Sequence, residues 1–355
     1  MNELANSPWG GGAHFTANPV LKTCGVDWVF CWGQERNQAE VKLKELGFNV
    51  FFTVGSLSLD PSDANFKPIS PEKRTEWTEI IPKLAKEYPG SIYQIGNEID
   101  WYPFFKPEEY VVWFHDYSER IRSFDKTAKI MIGSLLFPVW TENNLRKDKD
   151  YEKTFGLVPD EEFGWIQTFW DCFLKKYSTK PQVDIWNIHL YPNRVPFEYK
   201  VKECGQWVMK FREFMGKVGE KDKPLWVTEF SSGGGIKEGY YVRNDVVHDK
   251  ATNRIYAKLN PDKICTSGLD CLTDKEKEIE DRIEINFMDG MIRWFAKTNY
   301  VQKWFWFHFT NLESPQHPVH RTSDIYFLDE KTNKLNRLGE YYIKFKQELG
   351  LRIHK

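Results

Sequence analysis

The stretch IYQIGNEIDW, residues 92–101, decides the fold assignment of this 355-residue chain. A mostly apolar run leads into Gly96, Asn97 and Glu98, and an aromatic segment follows. This order predicts a buried strand that delivers a carboxylate to the rim of a cavity. A second stretch, LWVTEF at residues 225–230, repeats the order, with Glu229 near its end and a glycine-rich segment after it. Glu98 and Glu229 are therefore the first candidates for catalysis.

Around these two stretches, strand patterns alternate with helix patterns eight times. Residues 49–54 (NVFFTV) are largely apolar, as in a parallel strand buried on both faces, and residues 163–177 carry apolar side chains at helical spacing. Such alternation predicts parallel strands with right-handed crossovers. We expect an α/β fold in which residues 1–355 form a single catalytic (β/α)8 TIM barrel. Residues 231–281 would be a long insertion in the loop after the seventh strand.

An open, doubly wound sheet would also alternate in this way. That fold usually carries a glycine-rich phosphate-binding fingerprint after an early strand, and the sequence contains no G-x-G-x-x-G motif. The barrel is therefore favoured.

Composition narrows the class of partner. The 49 Lys and Arg residues balance 51 Asp and Glu residues, which argues against a nucleic-acid-binding protein. No apolar run approaches the ~20 residues of a membrane span. The aromatic content is 16%, with 15 Trp residues, and aromatic rings with polar handles suit stacking on sugar rings. We expect a carbohydrate substrate, no nucleic acid, no membrane partner and a monomer.

The six cysteines form no C-x-x-C pair, so a zinc site is not expected. Cys265 and Cys271 bracket a short turn and would either form a disulfide in an oxidising compartment or remain thiols. No H-E-x-x-H or similar cluster is present, and we expect neither a metal nor a cofactor.

Two carboxylates that converge on one cavity are what glycosidic bond cleavage requires. One protonates the leaving oxygen, and the other attacks the anomeric carbon or activates water. In a (β/α)8 barrel the carboxyl ends of the strands form the active site. Glu98 ends the fourth predicted strand and Glu229 the seventh, so both are placed there.

The IGNE and WVTEF motifs resemble the paired signatures of the clan A retaining glycoside hydrolases. The resemblance implies that Glu98 is the acid/base, that Glu229 is the nucleophile and that Asn97 binds the sugar 2-hydroxyl. His189-Leu190-Tyr191 resembles the clan's H-x-Y, whose tyrosine orients the nucleophile. The clan's usual arginine on the second strand is not evident here, and residues 326–341 match the clan's C-terminal motif only loosely.

Further substrate-binding candidates come from the eighth predicted strand and from loops. Trp304, Trp306 and His308 differ by two positions and so share one face of that strand. The resemblance to clan A implies that one of the two tryptophans forms the floor of the catalytic subsite. Three aromatic residues in predicted loops are candidate stacking platforms: Trp101, Tyr102 and Trp140.

The sequence therefore predicts a retaining β-glycoside hydrolase that degrades polysaccharides or oligosaccharides by double displacement, with endo action favoured. A non-catalytic carbohydrate-binding barrel and a metal-dependent lyase or isomerase on the same fold are the alternatives. The N-terminal residues lack a signal-peptide pattern. We expect export if a signal was removed, and a cytoplasmic protein if Met1 is native.

Overall fold

A computed structural model describes residues 9–14, 26–32, 36–55, 76–100, 106–136, 163–192, 200–232, 240–243, 246–249, 255–258, 274–307, 328–329, 334–335 and 337–353. These residues form a mixed α/β structure, as the sequence predicts. None of its described helices has the length and apolar character needed to span a membrane. Cys31, Cys172 and Cys204 are free thiols, whereas Cys265 and Cys271 lie outside the described residues.

The strands are β1 (Trp9–His14), β2 (Trp28–Trp32), β3 (Asn49–Val50), β4 (Phe52–Val54), β5 (Ile92–Ile95), β6 (Lys129–Ile132), β7 (Trp186–Leu190), β8 (Leu225–Phe230), β9 (Tyr240–Arg243), β10 (Val246–Asp249), β11 (Ile255–Lys258), β12 (Lys303–Trp306), β13 (Leu328–Asp329) and β14 (Lys334–Leu335). The α-helices are α1 (Arg36–Glu45), α2 (Ile81–Glu87), α3 (Pro107–Phe124), α4 (Gly164–Tyr177), α5 (Lys200–Lys217), α6 (Asp274–Thr298) and α7 (Arg337–Ile353).

Parallel pairing joins most of the strands. One sheet has the order β3-β2-β1-β12-β8-β7, and a second has the order β4-β5-β6. Only Phe51 separates β3 from β4, and parallel bridges Met131–Ile185 and Leu135–Ile188 link the β6 and β7 segments. The carboxyl ends of β5, β6, β7 and β8 therefore open on the same side.

Aromatic side chains of several strands pack against one another. Phe51 stacks on Phe30 of β2 at 5.5 Å between ring centroids and contacts Phe305 of β12 at 5.6 Å. Trp226 of β8 contacts both Phe51 and Phe305. Burying large rings is strongly favourable. This aromatic layer gives the strands a rigid base, and the site described below lies nearer their carboxyl ends.

The helices cover the outer faces of the strands. Pro107 begins α3, where its missing N–H costs nothing, and Glu108 and Glu109 lie in the first turn, where the helix dipole favours acidic residues. Phe114 of α3 then packs edge-on against Phe169 of α4, with 5.7 Å between centroids. The helical spacing of apolar residues over residues 163–177 predicted the apolar face of α4.

One predicted element differs in detail from the structure. Helix α6 begins at Asp274, inside the predicted insertion of residues 231–281. The described part of that insertion contains an antiparallel sheet of β9, β10 and β11.

Gly96 occupies a conformation that only glycine adopts without strain. Its φ is +82°, and an added Cβ would lie 2.7 Å from Cγ2 of Ile99. We expect Gly96→Ala to lower the free energy of unfolding by about 2–4 kcal/mol through backbone strain and overpacking. Gly216→Ala in α5, where an added Cβ meets nothing within 4 Å, should raise it by about 0.5–1 kcal/mol. Urea titration measures both, and equal effects would contradict this account.

Candidate active site

The backbone turns sharply after β5 and presents Glu98 at the strand end. Glu98 itself has a φ of +50°, a left-handed conformation that is uncommon for a residue with a side chain. Its N–H donates to Oγ of Ser134 at 2.9 Å, and the next N–H, of Ile99, donates to the Ser134 carbonyl at 3.0 Å. These bonds to the segment after β6 hold the strained residue in place, as is common at functional sites.

Asp100 adds a third tie between the same two segments. Its Oδ1 accepts a hydrogen bond from the Leu136 N–H at 2.7 Å, and its side chain is buried. Its contacts anchor the segment that carries Glu98.

A β-bulge aims Glu229 into the same cavity. Val227 pairs with Ile188 of β7, but His189 pairs with Glu229, which leaves Thr228 as an extra residue on β8. The register with β12 shifts at the same place. A bulge of this kind breaks the alternation of side chains and redirects one of them. Both side chains therefore reach partners on or next to β7: Thr228 donates to Asn187, and Glu229 accepts from Tyr191.

The chain immediately beyond Glu229 is pinned to two helices. Lys200 of α5 donates through Nζ to the carbonyl of Ser232, and Glu284 of α6 accepts from the Ser232 hydroxyl. All three side chains are buried. These bonds fix the exit of β8 and so limit the movement of the catalytic candidate.

His189 lies between the two carboxylates. Its Nδ1 is 3.1 Å from Oε1 of Glu98 and 3.4 Å from Oε2 of Glu229, and its side chain is fully buried. Burial lowers the pKa of this imidazole, but the charges of Glu229, Glu98 and Asp100 outweigh burial, so the net shift is upward. The geometry thus favours the imidazolium form of His189, which offsets one of the two negative charges.

Glu229 is the more buried carboxylate, with a side-chain exposure of 6% against 18% for Glu98. Burial and, less strongly, the Glu98 charge raise the pKa of Glu229 to about 7 against the opposing effect of His189. Tyr191 also opposes the rise, because its hydroxyl donates a hydrogen bond to Oε2 of Glu229. The Tyr191 ring packs edge-on against Phe307, which follows β12.

Among the described residues, one group of side chains has the spacing of metal ligands. His189 and the two glutamates each offer one atom, and these atoms lie within 4.8 Å of one another. Such a set accommodates a divalent ion. In the structure the same three side chains form the hydrogen bonds and ion pairs given above, and glycosidic cleavage by two carboxylates requires no metal.

The structure brings together Glu98, Glu229, His189 and Tyr191, with Asn97 beside Glu98. It does not bring Trp304 and Trp306 to them. Trp306 is fully buried and packs edge-on against Phe230, and Trp304 stacks on Phe295 of α6. This placement corrects the role predicted for the two tryptophans, because that face of β12 packs on the helix and Phe305 and Phe307 occupy the opposite face.

Four other predicted binding residues lie outside the described residues: Trp101, Tyr102, Trp140 and His308. Four buried polar residues lie behind the site and were not predicted from the sequence: Gln94, Ser134, Asn187 and Thr228. A signal for two of them was present, because Gln94 and Asn187 interrupt otherwise apolar strands.

Comparison with known proteins supports an enzyme of this kind. The sequence model of the family described as "Glycosyl hydrolase catalytic core" matches residues 107–258. The matched segment includes His189, Tyr191 and Glu229, and Glu98 lies just before it. No curated protein sequence gives a significant match.

Solved structures share the fold at low sequence identity. An endo-β-1,3-glucanase of family GH128 (subgroup II) from Pseudomonas viridiflava is 16% identical, with 95% of this chain and 97% of that chain covered and a TM-score of 0.54. A glucosidase from Croceicoccus marinus is 12% identical over 96% and 68% of the two chains, with a TM-score of 0.58. An endo-β-1,4-mannanase from Thermotoga petrophila is 12% identical over 97% and 77%, with a TM-score of 0.52.

The family match lies over the segment that supplies one of the two paired carboxylates, and the similar structures cover nearly the whole chain. The prediction of an O-glycosyl hydrolase is confirmed, and the chain resembles the clan A glycoside hydrolases.

Proposed function

We propose that the protein is a retaining β-glycoside hydrolase that cleaves polysaccharides or oligosaccharides by double displacement. The observation that carries the proposal is the approach of Glu98 and Glu229, whose facing oxygens lie within 4.8 Å. Retaining enzymes hold their carboxyl groups about 5–5.5 Å apart, whereas inverting enzymes leave about 6.5–9.5 Å for a water molecule. The short separation therefore favours direct attack by one carboxylate.

The surroundings of the two carboxylates distinguish their roles. Glu229 is deeply buried and oriented by the Tyr191 hydroxyl, as suits a nucleophile that must be held in line with the anomeric carbon. Glu98 is more exposed, as suits a group that exchanges a proton with the leaving oxygen and later with water. The resemblance to clan A assigns the same roles.

The reaction follows from these roles. An oxygen of Glu229 bonds to the anomeric carbon while the glycosidic bond breaks, and Glu98 gives its proton to the leaving oxygen. Water then attacks the glycosyl ester, Glu98 takes a proton from that water, and the Glu229 carboxylate leaves. Two inversions give net retention of configuration.

The nucleophile must be ionised when it attacks. Burial and, less strongly, the Glu98 charge raise the pKa of Glu229 to about 7, whereas His189 and the Tyr191 hydroxyl favour the ionised form. The attacking carboxylate form of Glu229 is therefore populated from about pH 7 upward.

The strand pairings favour a closed (β/α)8 barrel as the scaffold. The two parallel sheets meet at Phe51 and through the two bridges between the β6 and β7 segments. In our proposal, residues 1–355 form one catalytic domain, and the segment after β8 is an insertion beside the site. The carboxyl ends of the strands then surround the cavity, as expected for this barrel.

The sugar and the mode of cleavage need a direct test. The similar structures include an enzyme named for β-1,3-glucan and one named for β-1,4-mannan. We favour endo action on a chain bound along the aromatic loops. Incubation with both polysaccharides, followed by sizing of products and determination of their anomeric configuration, tests this. Internal cleavage with β-products supports the proposal, whereas initial α-products from a β-linked substrate would contradict it.

Replacement of the catalytic candidates gives a sharper test. We expect Glu98→Ala and Glu229→Ala each to lower kcat by about 10⁴-fold on an aryl β-glycoside with an activated leaving group. In Glu98→Ala the slowed step is deglycosylation, because an activated leaving group departs without a proton from Glu98. Azide should restore turnover, giving a β-glycosyl azide from Glu98→Ala and an α-glycosyl azide from Glu229→Ala. Glu119→Ala, on the exposed face of α3, is the control. Full activity in either site variant would contradict the catalytic role proposed for that residue.

Burial of Glu229 also predicts how stability depends on pH. Because its pKa is raised from 4.5 to about 7 in the folded protein, its contribution is fully present below pH 4.5 and is lost as the pH rises through 7. The loss is roughly 3 kcal/mol. Glu229→Gln removes this titration, so its stability relative to the wild type should rise between pH 4.5 and pH 8.

Urea unfolding of Glu229→Gln and of the wild type at pH 4.5, 6 and 8 measures this difference in stability. Glu119→Gln, an exposed control on α3, should differ from the wild type by the same amount at each pH. A flat difference for Glu229→Gln would contradict the burial argument.

A further inference from the structure

A line of buried amides and hydroxyls connects the strand of Glu229 to that of Glu98. Thr228 donates through Oγ1 to Oδ1 of Asn187 at 2.6 Å. Nδ2 of Asn187 donates to Oε1 of Gln94 at 2.9 Å. Nε2 of Gln94 then donates to Oδ1 of Asn97 at 3.0 Å and to the Gly96 carbonyl at 2.9 Å. The line thus ends on the residue that precedes Glu98.

These groups lie where water does not reach. Gln94 is 2% exposed, Asn187 0% and Thr228 1%. A polar group buried in such a place is costly unless its hydrogen bonds are satisfied. Apolar residues of similar size would fill the same space without that requirement. The polar line therefore needs a reason beyond packing.

The Gly96 carbonyl fixes the direction of every bond in the line. A carbonyl oxygen only accepts, so the Gln94 amide must present its nitrogen to Gly96 and to the neighbouring Asn97. Oε1 of Gln94 then faces Asn187, which must present Nδ2 to it. Oδ1 of Asn187 is left to accept the proton of Thr228.

A second, independent anchor acts on Asn97 from the other side. The Glu98 N–H only donates, so Oγ of Ser134 accepts from it at 2.9 Å. The Ser134 hydroxyl proton is then directed to Oδ1 of Asn97, also at 2.9 Å. Gln94, oriented by the Gly96 carbonyl, and Ser134, oriented by the Glu98 N–H, therefore both donate to Oδ1 of Asn97.

We propose that Gln94 and Ser134 are positioning residues that lock the Asn97 amide, with Asn187 and Thr228 supporting Gln94. Because Oδ1 is held inward by both donors, Nδ2 is the atom that Asn97 presents to the cavity. Asn97 is then a fixed donor, and its partner is an acceptor oxygen of the ligand. That this oxygen is a hydroxyl of the sugar bound between Glu98 and Glu229 rests on the proposed function; the locked orientation does not.

The lock has a catalytic consequence. An amide free to flip by 180° would present an acceptor half of the time and would pay an ordering cost on each binding event. A donor fixed in advance stabilises charge that develops near it in the transition state without reorganisation. Gln94 and Ser134 should therefore influence kcat more than KM.

A direct structural test does not depend on the reaction. Neutron diffraction from a crystal of the deuterated wild-type protein locates the deuterons on amide nitrogens. We expect two deuterons on the atom of Asn97 that faces the cavity and none on the atom that faces Gln94 and Ser134. The opposite orientation, or a mixture of both, would overturn the lock even if the protein proves to be an active glycosidase.

A kinetic test uses Gln94→Met, which keeps the side-chain volume and removes the two hydrogen bonds that Nε2 of Gln94 donates. The probes are an aryl β-glucoside or β-mannoside, whichever the enzyme cleaves, and its 2-deoxy counterpart. We expect kcat/KM for the hydroxylated substrate to fall about tenfold, mostly through kcat, with little change for the deoxy substrate. An equal loss on both substrates would indicate a general structural effect and overturn the positioning role.

Asn49→Leu is the matched control. Its Nδ2 also donates to a backbone carbonyl, that of Asp27, but at the opposite end of the strands. This variant loses a bond of the same kind, and its preference for the hydroxylated substrate should be unchanged. A tenfold loss of that preference in Asn49→Leu would also overturn the role. If Gln94→Met does not fold, the neutron result alone decides the proposal.

Discussion

The close approach of two carboxylates, the buried Glu229 and the half-buried Glu98, is the constraint on which the rest of this structure depends. Like charges at such separation in a poorly hydrated cavity repel strongly. The protein offsets that cost locally, with the His189 imidazole between the two acids and the Tyr191 hydroxyl on Glu229. The pKa of Glu229 nevertheless stays raised, chiefly by burial and less strongly by the Glu98 charge, so part of the cost of ionising Glu229 remains in the folded state.

Two departures from regular backbone bring the acids together. Glu98 takes a left-handed conformation that the segment after β6 holds by hydrogen bonds, and a bulge in β8 turns Glu229 toward the same cavity. Neither device is stable by itself. The aromatic layer beneath the site and the buried amides behind it supply a rigid frame, and folding free energy thereby supports a geometry that serves chemistry.

Much of this arrangement was predictable because it depends on local pattern. Buried strands that end in Asn97-Glu98 and in Glu229 stand out, since a charged residue after an apolar run needs a reason. Tyr191 followed from the resemblance of His189-Leu190-Tyr191 to the H-x-Y motif of clan A. Helix α4 followed from apolar residues at helical spacing over residues 163–177.

The two tryptophans of β12 show what the sequence pattern does not predict. In the segment KWFWF both faces of β12 are apolar, so alternation alone does not tell which face meets the helix. Trp304 and Trp306 pack outward, and Phe305 and Phe307 take the inner positions. The bulge at Thr228 was equally hidden, because an extra residue in one strand shows only against its neighbours. The roles of Gln94 and Asn187 depend on contacts between strands distant in sequence.

The central claim is that Glu229 forms a covalent bond to the sugar. An activated 2-deoxy-2-fluoro β-glycoside of glucose or mannose, matched to the sugar that the enzyme cleaves, slows release of the glycosyl group and so lets it accumulate. Mass spectrometry of the intact protein should show the addition of one fluoroglycosyl group, and peptide mapping should place it on Glu229. An adduct on another residue, or hydrolysis with inverted configuration and no adduct, would contradict the account.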